Sequence, residues 1–163
     1  MRAAVVTIST SAAAGKREDR SGALLAELAR AGGLEVAARE VVRDDRAEIE
    51  QALRRHCAPE AEVDVVFTTG GTGLTPDDVT PEATRAVIGR EVPGIAEAMR
   101  AESRRHTPMG VLSREVSGVA GQTLVVNFPG SPKAVEQLFG IVAPVLEHAV
   151  ALLRRDHGPA ARH

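Results

Sequence analysis

Tryptophan and tyrosine are absent from this 163-residue chain, phenylalanine occurs three times, and cysteine occurs once, at Cys57. One cysteine cannot form an internal disulfide, and it excludes a cysteine-based zinc site, which suits a reducing compartment. Without Trp and Tyr the usual base-stacking platforms are missing, and a formal net charge of −2 gives no general attraction to a polyanion, so no nucleic-acid partner is expected. No run approaches the roughly 18 apolar residues of a membrane helix, and the opening MRAAVVTIST lacks an apolar segment followed by a cleavage site. The chain therefore reads as cytoplasmic, with no membrane partner. Lysine is scarce as well, only Lys16 and Lys133 against many arginines, a bias that composition alone does not turn into a function.

What is present is a hydrophobic fraction of 44% with 26% charged residues, enough to bury a core without a disulfide or a structural metal. A single domain over residues 1–155 with a flexible tail over 156–163 is the expected organisation. Ala3 to Ile8 reads as a buried strand running into the polar loop STSAAAGKREDRSG. Leu24, Leu25 and Leu28 then recur at helical spacing until Gly32-Gly33. Leu34 to Val42 is a second strand, and Asp45 with Glu48 opens a helix carrying Ile49, Ala52 and Leu53. Val63 to Thr69 is apolar enough for a parallel strand covered on both faces.

Thr80-Pro81 and Pro93-Gly94 start two further helices. Gln122 to Phe128 is a strong strand, followed by a helical pattern through Val142, Leu146, Val150 and Leu153, with Pro144 expected in that helix's first turn. A shorter strand is expected over Val111 to Val116. Strands alternating with helices at these lengths predict an α/β fold, a three-layer α/β/α sandwich with a mainly parallel central sheet.

The third strand runs into TTGGTGLTPDDVT, Thr68 to Thr80, at the carboxyl end of a strand, where open parallel sheets bind their ligands. Gly70, Gly71 and Gly73 let successive N–H groups converge on an anion, and Thr68, Thr69, Thr72 and Thr75 supply hydroxyls. Neither GxxxxGK[ST] nor GxGxxG is completed, and GGTG could also serve only as a tight strand-to-helix turn. Asp77 and Asp78 suit the start of the following helix, as Asp44 and Asp45 suit theirs. Yet carboxylates beside a phosphate loop repel its guest unless a cation intervenes, and Mg²⁺ is held by one or two carboxylates together with phosphates and water.

A second anion-binding candidate is Asn127-Phe128-Pro129-Gly130-Ser131-Pro132-Lys133, where a strand ends and a helix begins beside a lysine; the same residues also describe an ordinary capped helix. None of the histidines has metal-ligand spacing, and Ser113 lacks GxSxG context.

Taken in order, TTGGTGLTPDDVTPEAT, EVPGIAEAMR, LSREVSG and VVNFPGSPKAV resemble the molybdopterin adenylyltransferase family, the MogA and MoaB group related to the G domain of gephyrin. The resemblance runs from about Val5 to Leu153. It implies a homotrimer that moves AMP from Mg-ATP onto the terminal phosphate of molybdopterin, releases pyrophosphate, and hands its product to a molybdate-insertion enzyme. Carried over by position, it implies Asp44 and Asp78 as magnesium-binding catalytic acids and Thr69, Gly70, Gly71, Thr72 and Gly73 as the nucleotide loop. Thr80 keeps an Asp-x-Thr pattern. Ser113, Asn127, Pro129, Gly130, Ser131 and Lys133 then fall in the phosphate- and pterin-binding segments.

Two positions depart from the family. Ser9-Thr10-Ser11 stands where Ser-Asp-Arg is common, and Arg43 stands where proline often precedes the second-strand acid, which leaves Asp45 as an alternative to Asp44. The altered first loop motivates the other reading, a noncatalytic molybdopterin-binding or carrier protein of the same fold.

Overall fold

The computed structural model describes residues 1–155. Six strands form one sheet in the order β2-β1-β3-β6-β5-β4. Strands β1 (Arg2–Ile8), β2 (Glu35–Val42), β3 (Val65–Thr69) and β6 (Thr123–Phe128) run parallel. The other two, β5 (Ser117–Ala120) and β4 (Arg90–Glu91), complete one edge in antiparallel pairing. The sheet is thus mixed, with the four parallel strands running from the β2 edge to β6.

Both faces are covered, which is why the central strands are apolar throughout rather than alternating. On one face Val5, Phe67, Val126 and Phe128 pack with Leu25 of α2 (Arg20–Ala31), Met99 of α5 (Pro93–His106) and Leu138 of α6 (Pro132–Arg155). On the other, Val6, Val66 and Val125 meet Ile49 and Leu53 of α3 (Arg46–Cys57) and Ala83 of α4 (Thr80–Arg85). All three phenylalanines gather on the first face, with Phe67 edge-on to Phe128 and Phe139 at centroid distances of 5.8 and 5.9 Å. A one-turn helix, α1 (Thr10–Ala13), follows β1 directly.

Two local expectations are corrected. Pro144 lies inside α6 rather than in its first turn, a place taken by Pro132. Val142 before it and Leu146 and Val150 after it are all buried, so the packed stripe continues past the proline. The proline ring removes the bond to the carbonyl of Gly140, an exposed residue, which limits the cost of the break. Helix α6 also reaches a mean hydropathy of 1.4 over its most apolar stretch, enough by length and composition to cross a membrane, although no single run of the sequence suggested it; here its stripe packs against the sheet.

Residues 111–116 form no strand. Pro108–Leu112 is a 3₁₀ turn capped by Thr107, and the strand starts only at Ser117. Just before it, Asn127 replaces a ladder partner: its Oδ1 accepts from Val116 N–H at 3.1 Å and its N–H donates to the Val116 carbonyl at 3.0 Å. The tail expected over 156–163 lies outside the described residues.

Candidate functional site

Because β1, β3 and β6 are parallel neighbours, their carboxyl ends bring Ile8-Ser9, Gly70-Gly71 and Pro129-Gly130 to one rim of the sheet. The glycine loop there is tightly constrained. Gly70 has φ +103 and a Cβ on it would lie 2.3 Å from the Ile8 carbonyl oxygen; Gly71 has φ +65 and its Cβ would lie 2.3 Å from Thr80 Oγ1. Side chains are excluded at both positions, by conformation and by space.

All four carbonyls of the loop are turned into the protein. Gly70 O accepts from the Thr80 hydroxyl at 2.9 Å, and Gly71 O from Thr80 N–H at 3.1 Å. Thr72 O accepts from Arg114 N–H at 2.9 Å, and Gly73 O from Arg114 Nε at 2.7 Å. The N–H groups of Gly71 and Thr72, by contrast, have no acceptor among the described residues. A run of backbone with its acceptors used and donors left over is suited to an anion.

A cavity of about 340 Å³ opens beside this loop, walled by Gly70, Gly71, Gly130, Pro132 and Asp44 together with Thr7, Ser9, Arg17, Asp19 and Arg20. Thr7 Oγ1 is buried there without a partner among the described residues. A larger cavity, about 460 Å³, opens at the opposite end of the sheet. Its polar groups are paired with one another, Asp64 accepting from Arg2 N–H at 2.8 Å and from Arg154 Nη2 at 2.7 Å, so geometry favours the smaller cavity as the site.

The two candidate acids are held alike. Asp44 Oδ2 accepts from Thr10 N–H at 2.7 Å and from the Thr10 hydroxyl at 2.8 Å. Asp78 Oδ2 accepts from Thr75 N–H at 2.8 Å and from the Thr75 hydroxyl at 2.7 Å. Partial burial works to raise the Asp78 carboxyl. Hydrogen bonds from the Thr75 hydroxyl, Thr75 N–H and Gly73 N–H, with the charge of Arg114, outweigh it and hold the group below its ordinary value. Asp45 is occupied elsewhere, its Oδ1 capping α3 through Glu48 N–H at 3.0 Å, which leaves Asp44 as the acid that faces the cavity.

Asp44 lines the cavity; Asp78 is not among its walls and lies beside Gly73 at the far end of the loop. No cluster of three or more His, Cys, Asp or Glu side chains occurs among the described residues. The donor set is therefore no closed protein cage. A cation such as Mg²⁺, which takes one or two carboxylates and completes its shell with phosphate and water, would draw on Asp44 at the cavity wall and on Asp78 beside Gly73.

Several residues expected to touch substrate are engaged within the fold instead. Asn127 is fully buried, and its amide donates to the hydroxyls of Thr68 at 2.9 Å and Thr84 at 3.0 Å, so its side chain joins β6 to β3 and α4 rather than facing a ligand. Thr80 is equally buried as the clamp on Gly70 and Gly71, and Thr69 donates to the Pro129 carbonyl at 2.8 Å. Thr72 is buried, with Oγ1 3.5 Å from Ser113 Oγ. Gly130, Ser131 and Lys133 are exposed at the start of α6, and Pro129 is half-buried.

The sequence motifs assign no site role to Arg114 or to Arg17, Asp19 and Arg20 of the STSAAAGKREDRSG loop. Arg114 ties together Thr72, Gly73, the Asp78 carbonyl at 2.6 Å and the Glu82 carboxylate. The loop had a usable signal, since it follows a strand as apolar as β3, but its place in the site depends on β1 being next to β3.

A family model described as a probable molybdopterin binding domain matches residues 4–148. The chain is 40% identical over 114 residues to a Helicobacter pylori protein named molybdopterin adenylyltransferase, covering 70% of this chain and 64% of that one. It is 44% identical over 116 residues to the Drosophila melanogaster molybdenum cofactor synthesis protein cinnamon, spanning 71% of this chain but only 19% of the fly protein. Among solved structures, MoaB of Thermus thermophilus superposes with a TM-score of 0.86 at 45% identity, covering 93% of this chain and 95% of its own.

Proposed function

Since this chain belongs to the molybdopterin-binding domain family of molybdenum cofactor biosynthesis, we propose that it is the adenylyltransferase of that process, moving AMP from Mg-ATP to molybdopterin with release of pyrophosphate. The observation that carries this reading is the glycine loop, with four carbonyls satisfied internally and the N–H groups of Gly71 and Thr72 left to meet phosphate oxygens. The unpaired Thr7 hydroxyl in the cavity wall supports a polar guest.

The attacking group in such a transfer is itself a phosphate, so no side chain need remove a proton. The work left to the protein is to bind two polyphosphate partners, align them and meet the charge that develops. Gly71 and Thr72 would donate to the nucleotide, and Gly130, Ser131 and Lys133, at the start of α6, would receive the second phosphate. Asp44 and Asp78 would hold Mg²⁺. When bound, the cation neutralises phosphate charge that would otherwise meet these carboxylates. The homotrimer and the molybdate-insertion partner implied by the resemblance belong to the same proposal, and exposed Leu74, Met109 and Val111 offer apolar surface for such contacts.

The test is to mix purified protein with molybdopterin and Mg-ATP and to look for adenylylated pterin and pyrophosphate. Product with wild type, and none with Asp78→Asn, is the expected result. The altered loop at Ser9-Thr10-Ser11 favours the carrier reading, which predicts bound pterin and no product from competent substrates.

A further inference from the structure

Glu115 is the one carboxylate in the buried core of the described residues, 2% exposed, and it sits two residues beyond Ser113. Its Oε2 accepts from the Ser113 hydroxyl, while its Oε1 is buried with no partner among the described residues. Ser113 Oγ lies in turn 3.5 Å from Thr72 Oγ1, in the loop where the N–H groups of Gly71 and Thr72 have no acceptor among the described residues. A short path thus leads from the candidate phosphate site through a serine to a sequestered carboxyl.

We propose that Glu115 is a positioning residue: by holding a proton it donates to Ser113 Oγ and frees the Ser113 hydroxyl to donate to a phosphate oxygen at the glycine loop. The inference rests on the reading of that loop as a nucleotide site. Its chemistry follows from the donor inventory. A serine has one proton, and an ionised Glu115 takes it, leaving only lone pairs toward an anionic guest. A proton gained by the carboxyl from solvent reverses the bond, and Ser113 then has its own proton to offer.

The surroundings favour the protonated form. Burial pushes the Glu115 carboxyl above the ordinary carboxylate range, although the Ser113 hydroxyl, its own backbone N–H and the charge of Arg100 each work the other way. Arg100, from α5, is the cation that faces this residue, and it donates to the Glu115 main-chain carbonyl at 3.0 Å. Arg114 is turned away toward Glu82 and the Asp78 carbonyl. An ionised Glu115 would leave a bare, buried Oε1, which is unfavourable without further donors.

Calorimetric titration of wild type, Ser113→Ala and Glu115→Gln with Mg-ATP between about pH 5 and 8.5 tests the relay, the titration of ATP itself being common to all three. Wild-type affinity is expected to fall about tenfold more steeply with rising pH than that of either variant, the loss of one hydrogen bond to a charged group. Glu115→Gln should bind tightly across the range, since an amide can still donate to Ser113, and Ser113→Ala should bind weakly throughout. A wild-type pH slope retained in Ser113→Ala overturns the inference even if Glu115→Gln fails to fold. Absence of Mg-ATP binding by wild type at every pH overturns the nucleotide reading itself, and the relay with it; binding without a Ser113-dependent slope overturns the relay alone.

Discussion

Asp78 is gripped by a threonine three residues before it in the same turn, whereas Asp44 is gripped by one 34 residues away, across the β1–β2 pairing. The bonds are otherwise the same, one N–H and one hydroxyl converging on Oδ2 within 2.7 to 2.8 Å. Position separates their consequences. The Asp78 turn is a local unit, secured from outside by Arg114, and it forms wherever Thr75 to Asp78 can close. The Asp44 contact exists only when β1 and β2 are in register, so it joins the first loop to the cavity and reports on the folded sheet.

The largest expected effect comes from breaking the backbone between the two acids. Gly71→Val should cost about 3 kcal/mol or expel the loop, because a Cβ at φ +65 would overlap Thr80 Oγ1. Chemical denaturation would show the loss, and Mg-ATP binding should vanish even at temperatures where the variant stays folded.

Next are the acids themselves. Asp78→Asn and Asp44→Asn should each lower AMP transfer by about 100-fold or more, the scale of losing one preorganised electrostatic group, in protein that remains folded at the assay temperature. Unchanged transfer in either variant would remove that acid from the proposed metal pair.

The grip can then be removed in place of the acid. Thr75→Ala and Thr10→Ala each delete one hydroxyl and should cost about 1 kcal/mol of stability. Their pH signatures should differ. Because the folded Asp78 carboxyl titrates below its ordinary value, it contributes stability that is present above the ordinary aspartate range and lost as pH falls through the lowered folded value. Thr75→Ala should flatten that acid limb of a melting-temperature profile, and Thr10→Ala should leave it in place. Equal flattening by both would show that the two grips are one cooperative unit.

The smallest effect has the opposite sign. Glu115 titrates above its ordinary value, so its contribution to stability is present below that value and lost as pH rises through the folded one. Glu115→Gln should therefore gain stability relative to wild type toward alkaline pH, readable as a diverging pair of melting curves.

Much of this architecture was readable from local pattern. The apolar runs at β1, β3 and β6, the cap of α3 at Asp45 and the glycine-rich turn after Thr69 each depend on neighbours in sequence, through continuous hydrophobicity, capping and φ. The expected strand over 111–116 failed because its hydrogen-bond partner is not a strand at all but the Asn127 side chain. Asn127 is a candidate contact because it opens the segment Asn127 to Lys133 at a strand end; its burial between Thr68 and Thr84 depends on β3, β6 and α4 packing together.

By itself, then, the sequence determined which segments alternate as strand and helix, where backbone must turn through positive φ, and which family the ordered motifs belong to, since all of these are short-range properties of residue type and spacing. Tertiary structure alone decided that Asp44 meets Thr10 at the cavity wall, that Arg114 holds the glycine loop, and that Glu115 ends in a buried carboxyl. Those outcomes require groups tens of residues apart to compete for the same hydrogen bonds and the same water-free space, and only strand order and packing settle which of them meet.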